Sequence, residues 1–378
     1  MTFPHFLFYM LSCVHFGYAK EKFFAAVYEH VPFFPVPNQA PVSPEEALSL
    51  MNRNIDILET AVVRAAQKGA HIIVTPEYAI CCFSLNREEV FPYLEDIPEP
   101  TYYLFFGETQ FNTPEEPEIS TFNTPFGKFG MFICYDILFY YPAVALVTQH
   151  NVDTIIFTTA WFNLLPHYSA IQIHSSWAMA MGANLLSSNI HNISLGMTAS
   201  SSIKWNLHAS KIRNYPSGSN IFNGLLFADN YTFTELTDLE GEYTVCQNQL
   251  CCHLEFKMAD KPKDEVYVLG VFDGLHTVEG EYYLQVCTFL KCQSTDIKSC
   301  GESVEQSSTK FKSFSLSGNF STSYVFPEVL LSPVSLAPDM FQVLNDGRLI
   351  SKESISTHPL LSVNLFGRWY ERDPPRYS

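Results

Sequence analysis

The sequence predicts an α/β domain followed by a smaller β-rich domain that contains disulfides. Up to about residue 212, helical periodicity alternates with short apolar runs that are typical of buried strands. Residues 214–220 read Asn-Tyr-Pro-Ser-Gly-Ser-Asn, a composition typical of a linker. Beyond this linker helical periodicity fades, and six of the ten cysteines lie between Cys246 and Cys300. We therefore expect two domains, which a chain of 378 residues can accommodate.

The first strong element is a helix from Ser43 to Gly69. Ser43 is a candidate N-cap, Pro44 suits the first helical position, and Glu46 completes a capping box. Gly69 is a candidate helix end. Seven residues at helical spacing predict one apolar face: Ala47, Met51, Ile55, Leu58, Val62, Ala65 and Ala66. The apolar run His71–Pro76 follows and predicts a buried strand.

The same alternation of helix and strand returns further along the chain. The predicted strands of the first half are Lys128–Ile133, Asp153–Thr158 and Leu185–Asn189, and its predicted helices are Asp136–Val147 and His167–Met181. The second half predicts strands at Glu265–Val271, Tyr282–Thr288 and Thr322–Phe326, separated by Gly and Pro turns.

The N-terminus predicts secretion. Residues Met1–Ala19 contain an apolar run followed by the small residues Gly17 and Ala19 at cleavage spacing, a pattern typical of a signal peptide. An ordinary buried segment is the alternative, and the run is too short for the roughly 20 apolar residues that span a bilayer. The end of the chain, Glu371–Ser378, is polar and Pro-rich and predicts no lipid-anchor tail or transmembrane segment. We expect a secreted, extracellular protein.

Sequons and cysteines agree with an oxidising, extracellular compartment. Three triplets predict N-glycosylation, at Asn192, Asn230 and Asn319. The clustered cysteines predict a disulfide framework whose pairing the sequence does not determine: Cys246, Cys251, Cys252, Cys287, Cys292 and Cys300. Removal of Cys13 with the signal peptide leaves an odd number of cysteines. At least one thiol is then unpaired or bonded to another chain.

Charge and metal-ligand patterns exclude several classes of function. The formal net charge is −17, and no cluster of Lys and Arg offers a basic face for phosphates, so we exclude a nucleic-acid-binding protein. No group of His and Cys has the spacing of a catalytic metal site, and the Cys251-Cys252-His253 run is better explained by disulfides. We predict no metal and no organic cofactor.

Two residues stand where α/β proteins place reactive groups. Cys134 lies between a predicted strand and a predicted helix, where a thiol is exposed and the helix N-terminus favours the thiolate. Glu77 follows the strand ending at Pro76 and is a candidate general base. A buried structural cysteine and a solvated loop carboxylate are the alternatives. The pair predicts nucleophilic catalysis by a thiol.

Several blocks along the chain resemble the nitrilase superfamily of carbon–nitrogen hydrolases, and the vanin and biotinidase branch most closely. The superfamily blocks are Val74-Thr-Pro-Glu77, Gly127-Lys-Phe-Gly-Met-Phe-Ile-Cys-Tyr-Asp136, Phe157-Thr-Thr-Ala-Trp161 and Trp177-Ala-Met-Ala-Met-Gly-Ala-Asn184. The branch blocks are Tyr28-Glu-His30, Tyr93-Leu-Glu-Asp-Ile-Pro98, Ser188-Asn-Ile-His191, Cys251-Cys-His253 and Phe272-Asp-Gly-Leu-His276. Together they extend the resemblance over nearly the whole mature chain.

The resemblance implies an αββα sandwich at residues 20–213 and a vanin-type β-rich domain at residues 214–378. It implies that Glu77 is the general base and Cys134 the nucleophile of a linear-amide hydrolase, with a Lys that stabilises the tetrahedral intermediate. It further implies that Glu108 is a second active-site carboxylate, with a loop acid as the alternative. Trp161 would line the acyl pocket, with a plain core aromatic as the alternative.

The chain departs from the family pattern at the lysine. The stretch where the family has it reads Pro98-Glu-Pro-Thr-Tyr-Tyr, which places Thr101 or a neighbour in its position. Only 56 residues separate Glu77 from Cys134, which indicates an internal deletion. Lys128 shares the strand of Cys134 but lies about 20 Å along it. Lys204 and Lys211 lie in a stretch that matches the family poorly.

The resemblance therefore predicts a secreted hydrolase that converts pantetheine to pantothenate and cysteamine through a thioester on the cysteine. Biotinyl amides are the second substrate class. The missing lysine favours a rival hypothesis, a non-catalytic secreted glycoprotein. A Cys–His protease would require a histidine directed at Cys134, and none of the twelve histidines is singled out by the sequence. The sequence predicts no particular oligomeric state.

Overall fold

The computed structural model describes residues 9–12, 23–35, 41–81, 83, 85–94, 118–197, 201–203, 221–278, 280–337 and 339–375, with backbone alone for residues 9–12 and 201–203. The chain forms two compact units. The first comprises Met1–Asn163 and Ala183–Lys204, and the second comprises Leu164–Gly182 and Trp205–Ser378. Within the described residues, no helix is both long and apolar enough to cross a membrane.

Two sheets form the centre of the first unit. The three-stranded sheet has the order β1 (Tyr9–Ser12), β2 (Phe24–Val27) and β3 (Ile72–Val74). The five-stranded sheet has the order β4 (Ser120–Thr124), β5 (Gly127–Ile133), β6 (Thr154–Thr159), β7 (Asn184–Asn189) and β8 (Ser201–Ile203). Strands β2 and β3 are parallel, as are β5, β6 and β7. The carboxyl ends of parallel strands meet at one edge, where α/β proteins bind ligands.

The two sheets of the first unit pack face to face through a small apolar core. Its buried residues are Phe23, Ala25, Val27, Val74, Phe129 and Leu186. This arrangement confirms the predicted α/β class and the packed double sheet. Strand β1 lies within the predicted signal peptide, which itself stays a prediction.

Helix α1 (Pro44–Gln67) begins as the sequence predicts. Ser43 Oγ accepts a hydrogen bond from the Glu46 N–H, and the Glu46 carboxylate accepts one from the Ser43 N–H. The predicted apolar face is wrong at Ile55 and Val62, which are 43% and 45% exposed. The helix instead buries Asn54. Its side chain accepts a hydrogen bond from the Phe33 N–H and donates to the carbonyl oxygens of Phe33 and Ile80. These bonds determine which side of the helix faces inward.

The continuous helix predicted at Asp136–Val147 is wrong. After the short α2 (Arg87–Val90), the chain forms a 3₁₀ turn at Cys134–Leu138, a π turn at Tyr140–Val144 and only then α3 (Ala145–Thr148). Pro142 explains the interruption because it has no N–H to donate and disfavours helical backbone in the residue before it. Tyr141 accordingly has the extended angles φ −106° and ψ 129°.

The second unit contains α4 (Ala170–Met181) and two antiparallel sheets. The helix begins three residues later than predicted, after Ser169 at its N-cap. The strands are β9 (Ile221–Leu226), β10 (Asp229–Glu235), β11 (Glu240–Gln247), β12 (Leu250–Asp260), β13 (Tyr267–His276), β14 (Tyr282–Lys291), β15 (Lys310–Gly318), β16 (Val325–Leu331), β17 (Ser335–Leu336), β18 (Phe341–Val343), β19 (Leu349–Ser351) and β20 (Leu360–Arg368). The strand predicted at Thr322–Phe326 begins later, as β16.

The sheets of the second unit enclose an apolar core between them. One sheet has the order β17-β16-β20-β14-β13-β10-β9 and the other the order β11-β12-β15-β19-β18. Core residues come from both sheets, for example Leu254 from β12 and Phe289 from β14. The predicted disulfide framework is confirmed, with the pairs Cys246–Cys251, Cys252–Cys287 and Cys292–Cys300. The Cys252–Cys287 bond joins the two sheets.

Candidate active site

The carboxyl edge of the first unit's sheets brings the two predicted catalytic residues together. Glu77 lies three residues after β3, and Cys134 directly follows β5. Thr159 ends β6 and is fully buried. Glu77, Thr159 and the backbone of Ala160 all shift the pKa of the Cys134 thiol. These segments are distant in sequence, and the parallel strand order places their ends side by side.

Cys134 occupies a strained backbone position. Its φ is +46°, in the left-handed region that non-glycine residues rarely adopt. Such outliers often accompany functional sites. The Asp136 carboxylate accepts a hydrogen bond from the Ile133 N–H at 3.0 Å and stabilises the turn. Cys134 is half-buried and is the free cysteine within the described part of the chain. An unpaired thiol is therefore held at the end of a strand.

The surroundings of Cys134 favour the protonated thiol. Burial raises its pKa well above the ordinary value, and the negative charge of Glu77 raises it further. Hydrogen bonds from the Thr159 side chain and the Ala160 N–H act in the opposite direction and lower the pKa. The first two effects prevail. A thiol of this kind needs a base to remove its proton as it attacks.

Glu77 is held in position by the main chain of the neighbouring strand. Its Oε2 atom accepts a hydrogen bond from the Ala160 N–H at 2.9 Å. The side chain is half-buried, so its charge acts in a partly desolvated setting. The same Ala160 N–H lowers the pKa of Cys134. One backbone donor therefore serves both the carboxylate and the sulfur.

Trp161 directly follows Ala160, whose N–H serves this pair. Its backbone N–H donates to Asn189 Oδ1 at 2.7 Å, and Asn189 Nδ2 donates back to the Trp161 carbonyl at 3.2 Å. The indole is buried and stacks on Tyr135, with 5.7 Å between ring centroids. Trp161 is therefore fixed at two points beside the nucleophile. Its role in lining an acyl pocket stays a prediction.

An aromatic cluster continues from Glu77 and Ala160. Half-buried rings pack around the buried side chains of Ala160, Ile190 and Met197; they are Phe34, Tyr78, Phe83 and Phe162. Phe83 is central, with ring centroids 5.4 Å from Phe34, 5.6 Å from Tyr78 and 6.4 Å from Phe162. The sequence did not predict this aromatic cluster or the part played by Thr159, Ala160 and Asn189. The one available indication was that each ends or follows a predicted strand.

The remaining predicted site residues divide into two groups. Glu108, Thr101, Lys204 and Lys211 lie outside the described residues. Lys128 Nζ donates a hydrogen bond to the His150 carbonyl at 2.8 Å, away from the pair. Among the predicted sequons, Asn230 is exposed on β10, and Asn192 Oδ1 accepts a hydrogen bond from Ser194. Asn319 is exposed beside Cys251, whose N–H donates to Asn319 Oδ1.

Comparisons with known proteins identify relatives of this chain. Residues 222–373 match the family model of the Vanin C-terminal domain. The chain is 44% identical to pantetheinase of Bos taurus over 473 positions, which cover 96% of this chain and 92% of the relative. It is 44% identical to pantetheinase of Homo sapiens, with 98% and 93% covered. It is 31% identical to biotinidase of Bos taurus, with 93% of each covered.

The alignment with the bovine pantetheinase contains positions that this chain lacks. Because 96% of 378 residues is about 363 residues, about 110 of the 473 aligned positions have no residue in this chain. These missing positions agree with the internal deletion that the sequence indicates. Among solved structures, an amidase from Nesterenkonia sp. matches with 14% identity and a TM-score of 0.30, covering 44% of this chain and 75% of that chain.

Proposed function

This chain belongs to the vanin and biotinidase family of carbon–nitrogen hydrolases, and we propose that Cys134 and Glu77 hydrolyse a linear amide. The observation that carries the proposal is the joint position of the two side chains. Glu77 raises the pKa of the Cys134 thiol, and both groups reach the N–H of Ala160. A nucleophile with an adjacent general base is the minimum machinery of thiol-dependent acyl transfer.

Acylation begins with proton transfer. Glu77 removes the thiol proton as the Cys134 sulfur attacks the amide carbonyl and forms the carbon–sulfur bond. The tetrahedral intermediate collapses, the carbon–nitrogen bond breaks, and the amine leaves with the proton that Glu77 held. The acyl group remains on Cys134 as a thioester. Because the pKa of the thiol is raised, the thiolate forms only during attack and not beforehand.

Deacylation repeats these steps with water. Glu77 removes a proton from a water molecule that attacks the thioester carbonyl, and the sulfur leaves and recovers the proton. We propose that Glu108 is a second carboxylate of this site and that the family lysine is absent, with Thr101 or a neighbour in its place. Losing one oxyanion donor costs about 10²–10³ in rate in other hydrolases. The activity is therefore slow relative to a complete member of the family.

The proposed substrate is pantetheine, which would give pantothenate and the aminothiol cysteamine. Two relatives at 44% identity carry the name pantetheinase, which supports this substrate over biotinyl amides. Trp161 would line the acyl pocket. No metal or organic cofactor takes part in the proposed reaction.

The proposal also covers the secretion, glycosylation and domain boundaries of the mature protein. Residues 1–19 would be removed as a signal peptide, and the protein would be secreted with glycans at Asn192, Asn230 and Asn319. The hydrolase domain would cover residues 20–213 and the vanin-type domain residues 214–378. The disulfide-rich second unit supports an oxidising compartment.

The second candidate function is a non-catalytic secreted glycoprotein. The specific observation that favours it comes from the alignment with bovine pantetheinase. That alignment has 473 positions and covers 96% of this chain, and about 110 of its positions have no residue here. Deleted strands leave unpaired edges and can remove catalytic groups together with them. This candidate retains the fold and predicts no turnover.

Amide hydrolysis by the purified secreted protein distinguishes the two candidates. Pantetheine and a biotinyl amide are offered in parallel, and the free amine and acid products are followed over hours. The matched control is Cys134→Ala, which keeps the fold and removes the sulfur. Pantetheine turnover that disappears in Cys134→Ala supports the hydrolase. Well-folded, glycosylated protein without turnover on either amide supports the non-catalytic glycoprotein.

A further inference from the structure

The three disulfides of the second unit differ sharply in exposure. Two are sealed in the core, since their four sulfur-bearing residues are at most 1% exposed: Cys252, Cys287, Cys292 and Cys300. The third is accessible because Cys246 is exposed and Cys251 is half-buried. A thiol in solution can therefore reach the Cys246–Cys251 bond and cannot reach the other two while the unit stays folded.

The hairpin that contains this disulfide is held by other bonds. Cys246 and Cys251 lie directly opposite each other, one pair before the end of the β11–β12 ladder. Three hydrogen bonds anchor the turn between them to Asp273 on β13. The Asn248 side chain donates to the Asp273 carbonyl at 2.7 Å, and the Gln249 N–H donates to the Asp273 carboxylate at 2.9 Å. The Asp273 N–H donates to Gln247 Oε1 at 2.8 Å.

The disulfide contributes less to the fold than the other two disulfides of the second unit. Its two cysteines are separated by only five positions, so closing the loop removes less entropy from the unfolded chain than closing a longer loop does. Strand β12 is also paired with β15 on its other side. Opening the bond leaves the ladder and the anchored turn in place. The Cys252–Cys287 bond, by contrast, closes 35 positions and joins two sheets.

The face of the hairpin that carries the disulfide is acidic. Side chains alternate across a strand, so Glu242 of β11 and Glu255 of β12 share the face of the cysteines. The two glutamates are exposed and lie directly opposite each other, four residues and about 13 Å from the cysteines. The next pair, Glu240 and Lys257, forms an ion pair and neutralises itself. His253 lies between, with Nδ1 2.9 Å from Thr244 Oγ1.

We propose that Cys246–Cys251 is a thiol-exchange site selective for small cationic thiols. The incoming thiolate attacks the exposed Cys246 sulfur and forms a mixed disulfide. The Cys246–Cys251 bond breaks, and Cys251 leaves as a thiolate that takes a proton from water. A second molecule of the same thiol then attacks the small-thiol sulfur of the mixed disulfide. Cys246 leaves as a thiolate that takes a proton, and a symmetrical small disulfide is released. The choice of a cationic thiol rests on the proposed function of the first unit, because that reaction releases an aminothiol.

Selectivity follows from charge. Glu242, Glu255 and the net charge of −17 attract an ammonium-bearing thiol and repel an anionic one. At about 13 Å in water each glutamate acts weakly, so a thiol of charge +1 is favoured over one of charge −1 by about fivefold at low ionic strength. The preference disappears in about 1 M salt, where the Debye length is roughly 3 Å.

The experiment adds the thiol directly and so does not depend on amide hydrolysis. Cysteamine, 2-mercaptoethanol and glutathione are compared at equal thiolate concentration. The rate of each thiol with the protein is divided by the rate of the same thiol with a neutral small disulfide. The protein is the secreted Cys134→Ala variant, treated with a glycosidase because the sequon residue Asn319 adjoins Cys251. Alkylation and mass spectrometry identify the cysteines that react.

The expected result is that, among the cysteines of the second unit, Cys246 and Cys251 are labelled first, with cysteamine about fivefold faster than glutathione at low salt. The double variant Glu242→Gln/Glu255→Gln reduces that ratio to about twofold, whereas Asp260→Asn/Asp264→Asn, which removes two distant charges, leaves it unchanged. Equal ratios for all three thiols, or first labelling at Cys292 and Cys300, would overturn the proposal. Thermal melting supplies a second test: Cys246→Ser/Cys251→Ser lowers the Tm by a few degrees at most, and a loss of folding in that variant contradicts the proposal.

Discussion

Glu77 and Cys134 interact at the carboxyl edge of the first unit, where the charge of the carboxylate raises the pKa of the thiol. The same carboxylate accepts the Ala160 N–H at 2.9 Å, across 83 positions of sequence. The thiol is therefore protonated and lies beside the carboxylate that removes its proton during attack. Reactivity toward a simple alkylating agent and reactivity toward an amide should therefore respond in opposite directions when Glu77 is changed.

Glu77→Gln should speed alkylation of Cys134 and slow hydrolysis. Removing the negative charge lowers the pKa of the thiol, so more thiolate is present at a given pH. Iodoacetamide should label Cys134 several-fold faster in the variant at pH 8. Hydrolysis should fall by about 10²-fold or more because the base is lost. A variant in which both rates fall together would contradict the assignment of Glu77 as base.

Thr159→Val should have the reverse effect on alkylation. The Thr159 side chain lowers the pKa of Cys134, so its loss raises that pKa and reduces the thiolate fraction. The pH–rate profile of iodoacetamide labelling should shift to higher pH, with the fold retained by circular dichroism. An unchanged pH–rate profile would mean that Thr159 does not affect the Cys134 thiol.

Asn54→Ala should destabilise the first unit by about 2–4 kcal/mol. The buried amide of Asn54 makes hydrogen bonds to the N–H and carbonyl of Phe33 and to the carbonyl of Ile80, all of which the variant leaves unpaired. Because Ile80 lies three residues after Glu77, hydrolysis should fall as well. Chemical denaturation measures the loss, and the exposed Asn52→Ala provides the control on the same helix, with an expected change within about 0.5 kcal/mol.

Glu328→Gln should stabilise the second unit at alkaline pH. Burial raises the pKa of Glu328 to about 8, against an ordinary value of 4.5, although Asn364 and Ser176 donate to it. The folded state therefore holds a proton that the unfolded state releases above pH 4.5, and the wild type loses stability as pH rises from 4.5 to 8. The variant avoids this loss.

The difference between Glu328→Gln and the wild type should be small at pH 4.5 and reach about 4 kcal/mol at pH 8. Melting temperatures across this range measure it. The exposed Glu371→Gln is the matched control and should show no such slope. Equal melting temperatures for Glu328→Gln and wild type at both pH values would mean that the buried carboxylate is not protonated in the folded protein.

Local rules explain what the sequence could predict of the fold. The capping box of Ser43 and Glu46 and the strand ending at Ile133 depend on neighbours in sequence, and the structure confirms both. The predicted helix after Cys134 is wrong because Pro142 interrupts it. The exposure of Ile55 and Val62 depends on which side of the helix Asn54 anchors, a tertiary contact that periodicity does not contain.

The candidate site shows the same division. Glu77 and Cys134 could be found because each follows a recognisable strand and matches a family motif. Thr159, Ala160 and Asn189 act through contacts made across strands, and Ala160 contributes only its backbone N–H. A backbone donor has no residue-type preference, so its position after a predicted strand is the one indication of it in the sequence. The accessible disulfide likewise became apparent only from burial in the folded second unit.

The central claim is that Cys134 forms a thioester with the acyl part of an amide substrate. The most direct test is acid quenching of the glycosidase-treated protein during incubation with pantetheine, followed by peptide mass spectrometry. A pantothenyl adduct on the Cys134 peptide, sensitive to hydroxylamine and absent from Cys134→Ser, is the predicted result. Pantetheine turnover with Cys134 unmodified at every quench time, or turnover that survives Cys134→Ala, would contradict the claim.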